Sequence, residues 1–67
     1  MTLRWVDIED IAIALEEAYP GVDILQLRFT QLWEWVQKLP DFSDTPDRCN
    51  EKILEAIQMA WLEERQS

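Results

Sequence analysis

The placement of proline restricts the fold more than any other feature of this sequence. The chain has three prolines, Pro20, Pro40 and Pro46, and a single glycine, Gly21. Proline has no backbone N–H and its ring clashes with the preceding turn, so it ends an α-helix or occupies its first turn. The sequence therefore predicts one helix that stops before Pro20 and Gly21, a second that stops at Pro40, and a last helix that starts at Pro46.

Between these prolines, apolar residues recur at the spacing of an α-helix. The predicted helices cover residues 8–19, 30–38 and 46–65, and a short helical turn is predicted at 23–27. Side chains of Asp and Thr favour the N-cap position because their oxygens accept hydrogen bonds from the first turn. The predicted N-caps are Asp7, with Asp10 at the capping-box position, and then Asp23, Thr30 and Thr45.

Each predicted helix has one apolar stripe that should face the core. Trp5 is expected to cover the base of the first helix, and Phe42 is expected to fill the core from the polar loop 41–44. Trp33 lies one position off its stripe, so it is predicted to be exposed at an interface or, alternatively, to lie against the loop that carries Phe42. The residues predicted to face the core are Ile8, Ile11, Ala12, Leu15, Ala18 or Tyr19, Leu32, Trp35, Val36, Leu39, Ile53, Leu54, Ile57, Ala60 and Trp61.

The fold class that follows is all-α, in one small domain over residues 1–67. A chain of 67 residues has room for one modest core, since it buries only about 60% of its unfolded surface. If residues 3–5 pair with residues 27–29 as a two-stranded ribbon, the domain is winged-helix-like. Periodicity leaves that pairing open.

The formal net charge of −8 argues strongly against the function classes that depend on a basic surface. Nucleic acid and anionic membranes both need Lys and Arg, so neither is an expected partner. The charge favours a cationic partner surface or a hard divalent ion, although acidic composition also serves solubility.

Catalytic machinery is scarce in this composition. The chain has no histidine and one cysteine, which removes the commonest general base and every Cys/His nucleophile pair. Cys49 is predicted to lie inside the last helix as an inert, partly buried side chain. The protein is therefore predicted not to be an enzyme, and, because it has neither a signal sequence nor a long apolar run, to be cytoplasmic.

Acidic residues cluster on two predicted helices. They are either solvated helix faces or a docking surface for a basic partner, with weak oxygen-ligand sites for a divalent ion. The first helix and its start carry Asp7, Glu9, Asp10, Glu16 and Glu17, and the last helix carries Glu51, Glu55, Glu63 and Glu64.

Five fragments of the sequence, in register along the whole chain, resemble one known family. They are L-x-W-x-D at 3–7, A-L-x-x-A-Y-P at 14–20, R-F-T at 28–30, W-V-x-x-L-x-x-F at 35–42, and N-E-K-I-L-E-A-I-x-x-x-W-L at 50–62. This succession is similar to that of the IscX (YfhJ) family of iron–sulfur cluster assembly adaptor proteins.

The resemblance implies a modified winged-helix fold and a monomeric adaptor or regulator that binds the cysteine desulfurase of the assembly machinery. It also implies weak, carboxylate-bound ferrous iron and a docking area shared with bacterial frataxin. The alternative is an acidic module that occupies a basic partner surface without any iron role. The residues predicted to hold metal are Asp7, Glu51, Glu55 and Glu64, and those predicted to contact the partner are Glu9, Asp10, Glu16, Glu17, Trp33, Glu51 and Glu55.

Overall fold

Three α-helices form the domain in the computed structural model, which describes residues 2–66. They are α1 (Ile8–Ala18), α2 (Phe29–Gln37) and α3 (Glu51–Gln66), with two 3₁₀ turns at Ile24–Gln26 and Pro46–Arg48. The predicted all-α class is confirmed. None of the helices within residues 2–66 is long and apolar enough to cross a membrane.

The starts of α1 and α2 differ from the predicted capping. Asp7 is at the N-cap of α1, but its carboxylate accepts a hydrogen bond from the upstream Arg4 N–H at 3.0 Å and makes none to the first turn. The predicted capping box is therefore wrong. Helix α2 starts one residue before Thr30, because the Gln31 side chain accepts from the Arg28 N–H at 3.2 Å and so satisfies a backbone donor at the helix start.

The last predicted helix is broken near its start. Pro46 opens a single 3₁₀ turn, and Thr45 makes no side-chain capping bond to it. Cys49 is extended, with φ −86° and ψ 150°, so its predicted place inside the helix is wrong. Asn50 then caps α3, because its side-chain oxygen accepts from the Ile53 N–H at 2.9 Å in the geometry expected of an N-cap.

The ribbon between residues 3–5 and 27–29, which the sequence left open, does not form. Leu3 instead makes an isolated parallel bridge with Phe42. Its N–H donates to the Asp41 carbonyl at 2.7 Å, and its carbonyl accepts from the Ser43 N–H at 2.9 Å. Residues 27–29 are unavailable because they close the first 3₁₀ turn and start α2. The winged-helix expectation therefore lacks its two-stranded wing within residues 2–66.

The core lies mainly between α1 and α3, which share the most extensive helix–helix contact. Trp5 is more central than predicted: it is 1% exposed, its ring packs edge-on against Phe42, and its indole N–H donates to the Thr45 carbonyl at 2.8 Å. Trp35 is only half-buried, because it stacks on Tyr19 at the edge of the core with 4.3 Å between ring centroids. The buried core residues are Leu3, Trp5, Ile11, Ala12, Leu15, Ile24, Leu32, Val36, Leu39, Leu54, Ile57 and Trp61.

The burial of two tryptophans predicts a large difference in stability between their alanine variants. Trp61 has no exposed surface, so Trp61→Ala should lower the free energy of unfolding by about 3–5 kcal/mol. That is a large part of the total expected for so small a domain. Trp33 is half-buried, and Trp33→Ala should cost clearly less. Urea unfolding measures both, and a lower midpoint for Trp33→Ala would contradict this assignment.

Candidate functional site

Most of the carboxylates predicted to contact a partner face solvent. Glu9, Asp10 and Glu17 on α1 are exposed, and so are Glu51 and Glu55 on α3. Their exposure follows from helical periodicity, since each lies away from the apolar stripe of its helix. These side chains are therefore accessible to a cationic partner, as the docking prediction requires.

Glu16 is the exception among the predicted docking residues. Its side chain is 25% exposed and accepts a hydrogen bond from the Trp61 indole N–H at 2.9 Å. The same carboxylate forms an ion pair with Arg65, whose Nε lies 2.9 Å from Oε2. A charge-assisted bond of this kind is roughly twice as strong as a neutral one. Glu16 therefore joins α1 to α3 within the domain.

Arg65 is a structural residue that the sequence reasoning missed. Its guanidinium lies over the Trp61 ring, 5.6 Å from the centroid, and donates to the carbonyls of Tyr19 at 3.0 Å and Val22. The last carbonyls of a helix have no partner within the helix, so Arg65 supplies donors where α1 ends. The spacing of four residues between Trp61 and Arg65 was the available signal, because such residues are neighbours on one helix face.

A second side chain of α3 holds the segment that follows α1. The Gln58 amide donates to the Ile24 carbonyl at 3.0 Å, in the first 3₁₀ turn. Together, Gln58 and Arg65 hold three carbonyls of this segment, those of Tyr19, Val22 and Ile24, against α3. The segment next to the C-terminal end of α1 is therefore held by polar contacts as well as by the core.

The predicted metal ligands do not form one centre. Within residues 2–66, no three His, Cys, Asp or Glu side chains come together in a group able to hold a metal ion. Glu51 and Glu64 lie at opposite ends of α3, about 20 Å apart along the axis at 1.5 Å per residue. Asp7 is at the start of α1, where it bonds to the Arg4 N–H. Ferrous iron binding by these four residues stays a prediction.

Trp33 lies against the second 3₁₀ turn. Its side chain is half-buried and packs against the core. The indole N–H donates to the Pro46 carbonyl at 3.4 Å. This position is close to the alternative prediction, in which the ring lies against the loop after α2. A role for its exposed part in partner contact stays a prediction.

Asp44 holds the N-terminal segment to the loop after α2. Its side chain is 10% exposed and accepts from the Trp5 N–H at 3.2 Å and from the Thr45 N–H at 2.8 Å. The hydrogen bond from Trp5 is the main reason that the pKa of Asp44 is lower than its ordinary value, since it stabilises the carboxylate. Asp44 lies outside the helices, in the polar loop predicted at 41–44.

Cys49 has the environment of an unreactive thiol. It is half-buried, and its sulfur lies 3.6 Å from the Asn50 carbonyl oxygen. Burial raises the pKa of the Cys49 thiol, which disfavours the thiolate needed for nucleophilic attack or metal ligation. The prediction of an inert cysteine agrees with this geometry.

The fold and the site together define a small all-α domain whose exposed helix faces are rich in carboxylates. Residues 3–66 match the iron–sulphur cluster assembly family. The chain is also 54% identical over 65 residues to an uncharacterized protein of Pseudomonas aeruginosa. The aligned region covers 97% of this chain and 98% of that protein. This chain therefore belongs to the iron–sulphur cluster assembly family, which is the IscX (YfhJ) family.

Two adjacent glutamates of α1 provide a matched test of the Glu16 contacts. Glu16→Gln removes the negative charge of the carboxylate to which Arg65 and Trp61 both donate, and should lower the free energy of unfolding by about 1–3 kcal/mol. Glu17→Gln changes the same charge at an exposed position, and should stay within about 0.5 kcal/mol of the parent protein. Urea unfolding of the two variants in parallel measures the difference. Equal midpoints would show that the ion pair contributes no net stability.

Proposed function

We propose that this protein is a non-catalytic adaptor that docks through its acidic helix faces on a basic surface of the cysteine desulfurase. Family membership over residues 3–66 supports a role in iron–sulfur cluster assembly. The exposed carboxylates of α1 and α3 supply the charge for docking. The proposed role implies a cytoplasmic, monomeric protein that works within this machinery, where bacterial frataxin competes for the same basic surface.

The distribution of charge supports electrostatic docking. The chain has six basic and fourteen acidic residues, and one of the six, Arg65, is held by Glu16 inside the domain. The field around the protein is therefore strongly negative, which speeds the encounter with a positive surface. Complementary charge sets the association rate and the orientation more than it sets the final affinity.

Iron is the second part of the proposal, as a weakly bound ferrous ion. Glu51 and Glu55 are exposed and lie one turn apart on α3, where such residues have Cβ atoms about 5–6 Å apart. Two carboxylates can hold a hard divalent cation with water completing its coordination, at low affinity and with little selectivity. Asp7 and Glu64 lie elsewhere and are proposed as separate single-carboxylate contacts.

A docking module without an iron role is the alternative function. The observation that favours it is that residues 2–66 bring no three metal-ligating side chains together. In this alternative the protein covers a basic partner surface and regulates the partner by occupancy alone. The docking residues are the same in both cases, so only metal binding separates the two functions.

Docking by charge predicts a strong dependence on salt. Binding to the desulfurase should weaken as salt rises above physiological strength, where the screening length is already about 8 Å. The double variant Glu51→Lys/Glu55→Lys should slow association more than Glu34→Lys/Asp47→Lys. Both pairs replace exposed acids and change the net charge equally. Calorimetry and stopped-flow measure these effects, and an affinity that is independent of salt would overturn electrostatic docking.

Weak iron binding predicts localised paramagnetic broadening. Manganese should compete with ferrous iron, because oxygen ligands discriminate poorly among such ions. In NMR spectra, Mn²⁺ should broaden amide signals around Glu51 and Glu55 first, and around Asp7 and Glu64 at higher concentration. Glu51→Gln should abolish the first set, whereas Glu34→Gln should leave it unchanged. Uniform broadening at all acidic residues would remove the iron role and leave the docking role.

A further inference from the structure

A groove of about 240 Å³ lies between α1 and the segment that follows α2. Ala14 and Ala18, one helical turn apart, line it from α1, and their small side chains leave the space open. Leu3 and Leu39 line its floor, where they are 8% and 5% exposed. The groove therefore has an apolar interior that the domain itself does not fill.

The floor of this groove is fixed before any partner arrives. Leu3 is held on both sides by its backbone bonds to Asp41 and Ser43. The Leu39 N–H donates to the Val36 carbonyl at 3.2 Å, at the end of α2. A preformed groove binds a side chain without the cost of ordering its own walls.

Two carboxylates stand at the rim. Glu17 belongs to α1 and Asp41 to the segment after α2, and both line the groove and are exposed. Within the described residues 2–66, neither of these two side chains makes a hydrogen bond or an ion pair. An apolar interior with acid on both sides matches a lysine or arginine side chain, which has a long apolar stem and a cationic head.

We infer that this groove receives one lysine or arginine side chain from the basic surface of the partner. The stem lies on the two alanines and two leucines, and the cationic head lies between Glu17 and Asp41. The inference rests on the proposed docking function and deepens it. A second copy of this chain is the wrong occupant, because two surfaces of chains with a net charge of −8 repel one another.

Binding in the groove has a different signature from diffuse attraction. Truncating one side of a desolvated, hydrogen-bonded charge pair acts mainly on dissociation, whereas a charge at the rim of an interface acts mainly on association. In the proposed complex the bound cationic head covers Glu17 and Asp41 and excludes water from both, so they form the first kind of pair, and their loss should raise the dissociation rate of the complex. Filling the groove with an uncharged side chain should do the same without changing the salt dependence.

The test compares charge-matched pairs against the desulfurase at one fixed salt concentration. Glu17→Gln/Asp41→Asn should raise the Kd at least about 10-fold, through faster dissociation, since a desolvated charge pair is lost. The control, Glu34→Gln/Asp47→Asn, makes the same two kinds of substitution and removes the same charge at exposed positions that do not line this groove. It should change the Kd several-fold less and act on association.

Ala18→Met supplies the test that does not involve charge. Ala18 is the last residue of α1 and is exposed, so the fold should tolerate the larger side chain, and thermal melts check this. The variant should raise the Kd with the same salt slope as the parent protein. Equal effects of the two charge pairs, or parent-like binding by Ala18→Met, would overturn the groove and leave docking intact. Failure of the parent protein to bind the desulfurase would overturn the docking function, and with it the proposal that a side chain of the desulfurase occupies the groove.

Discussion

The contacts of Arg65 join helix α3 to helix α1 and to the segment that follows α1. Its guanidinium pairs with Glu16, lies over Trp61 and donates to two carbonyls in the segment after α1. Helix α1, that segment and α3 therefore meet at one cation. Because the charges are about a quarter exposed, the pair keeps part of its hydration and avoids most of the desolvation cost of a fully buried pair.

This use of Glu16 divides the acidic residues of α1 into two groups. Glu16 faces inward and serves the fold, whereas Glu9, Asp10 and Glu17 face solvent. The adjacent positions of Glu16 and Glu17 show how little separates a structural carboxylate from one that is available to a partner. A 100° rotation per residue along the helix is enough to move the side chain from the α3 contact to open solvent.

Local sequence was sufficient to predict the number of helices, most of the core and the exposure of Glu51 and Glu55, because each depends on periodicity within one element. It failed where a distant residue decided the outcome. Glu16 was assigned to the surface because its partner Arg65 is 49 residues away. The predicted start of α3 was wrong for another reason, because Thr45-Pro46 and Asn50 are both good signals for the start of a helix. Thr45-Pro46 starts a 3₁₀ turn, whereas Asn50 starts the α-helix.

The separation of 49 residues between Glu16 and Arg65 also bears on how the chain acquires its structure during synthesis. Translation delivers α1 first, but its Arg65 partner is among the later residues to be made. The hydrogen bonds of Trp5 to Asp44 and Thr45 span 39 and 40 residues, so the N-terminal segment also lacks its partners until those residues have been made. Until α3 is made, the apolar stripe of the α1 segment has nothing to pack against, and chains that expose apolar surface in this way are prone to aggregate. The acidic residues in the same segment give every unfolded copy the same charge, which opposes the association of one chain with another.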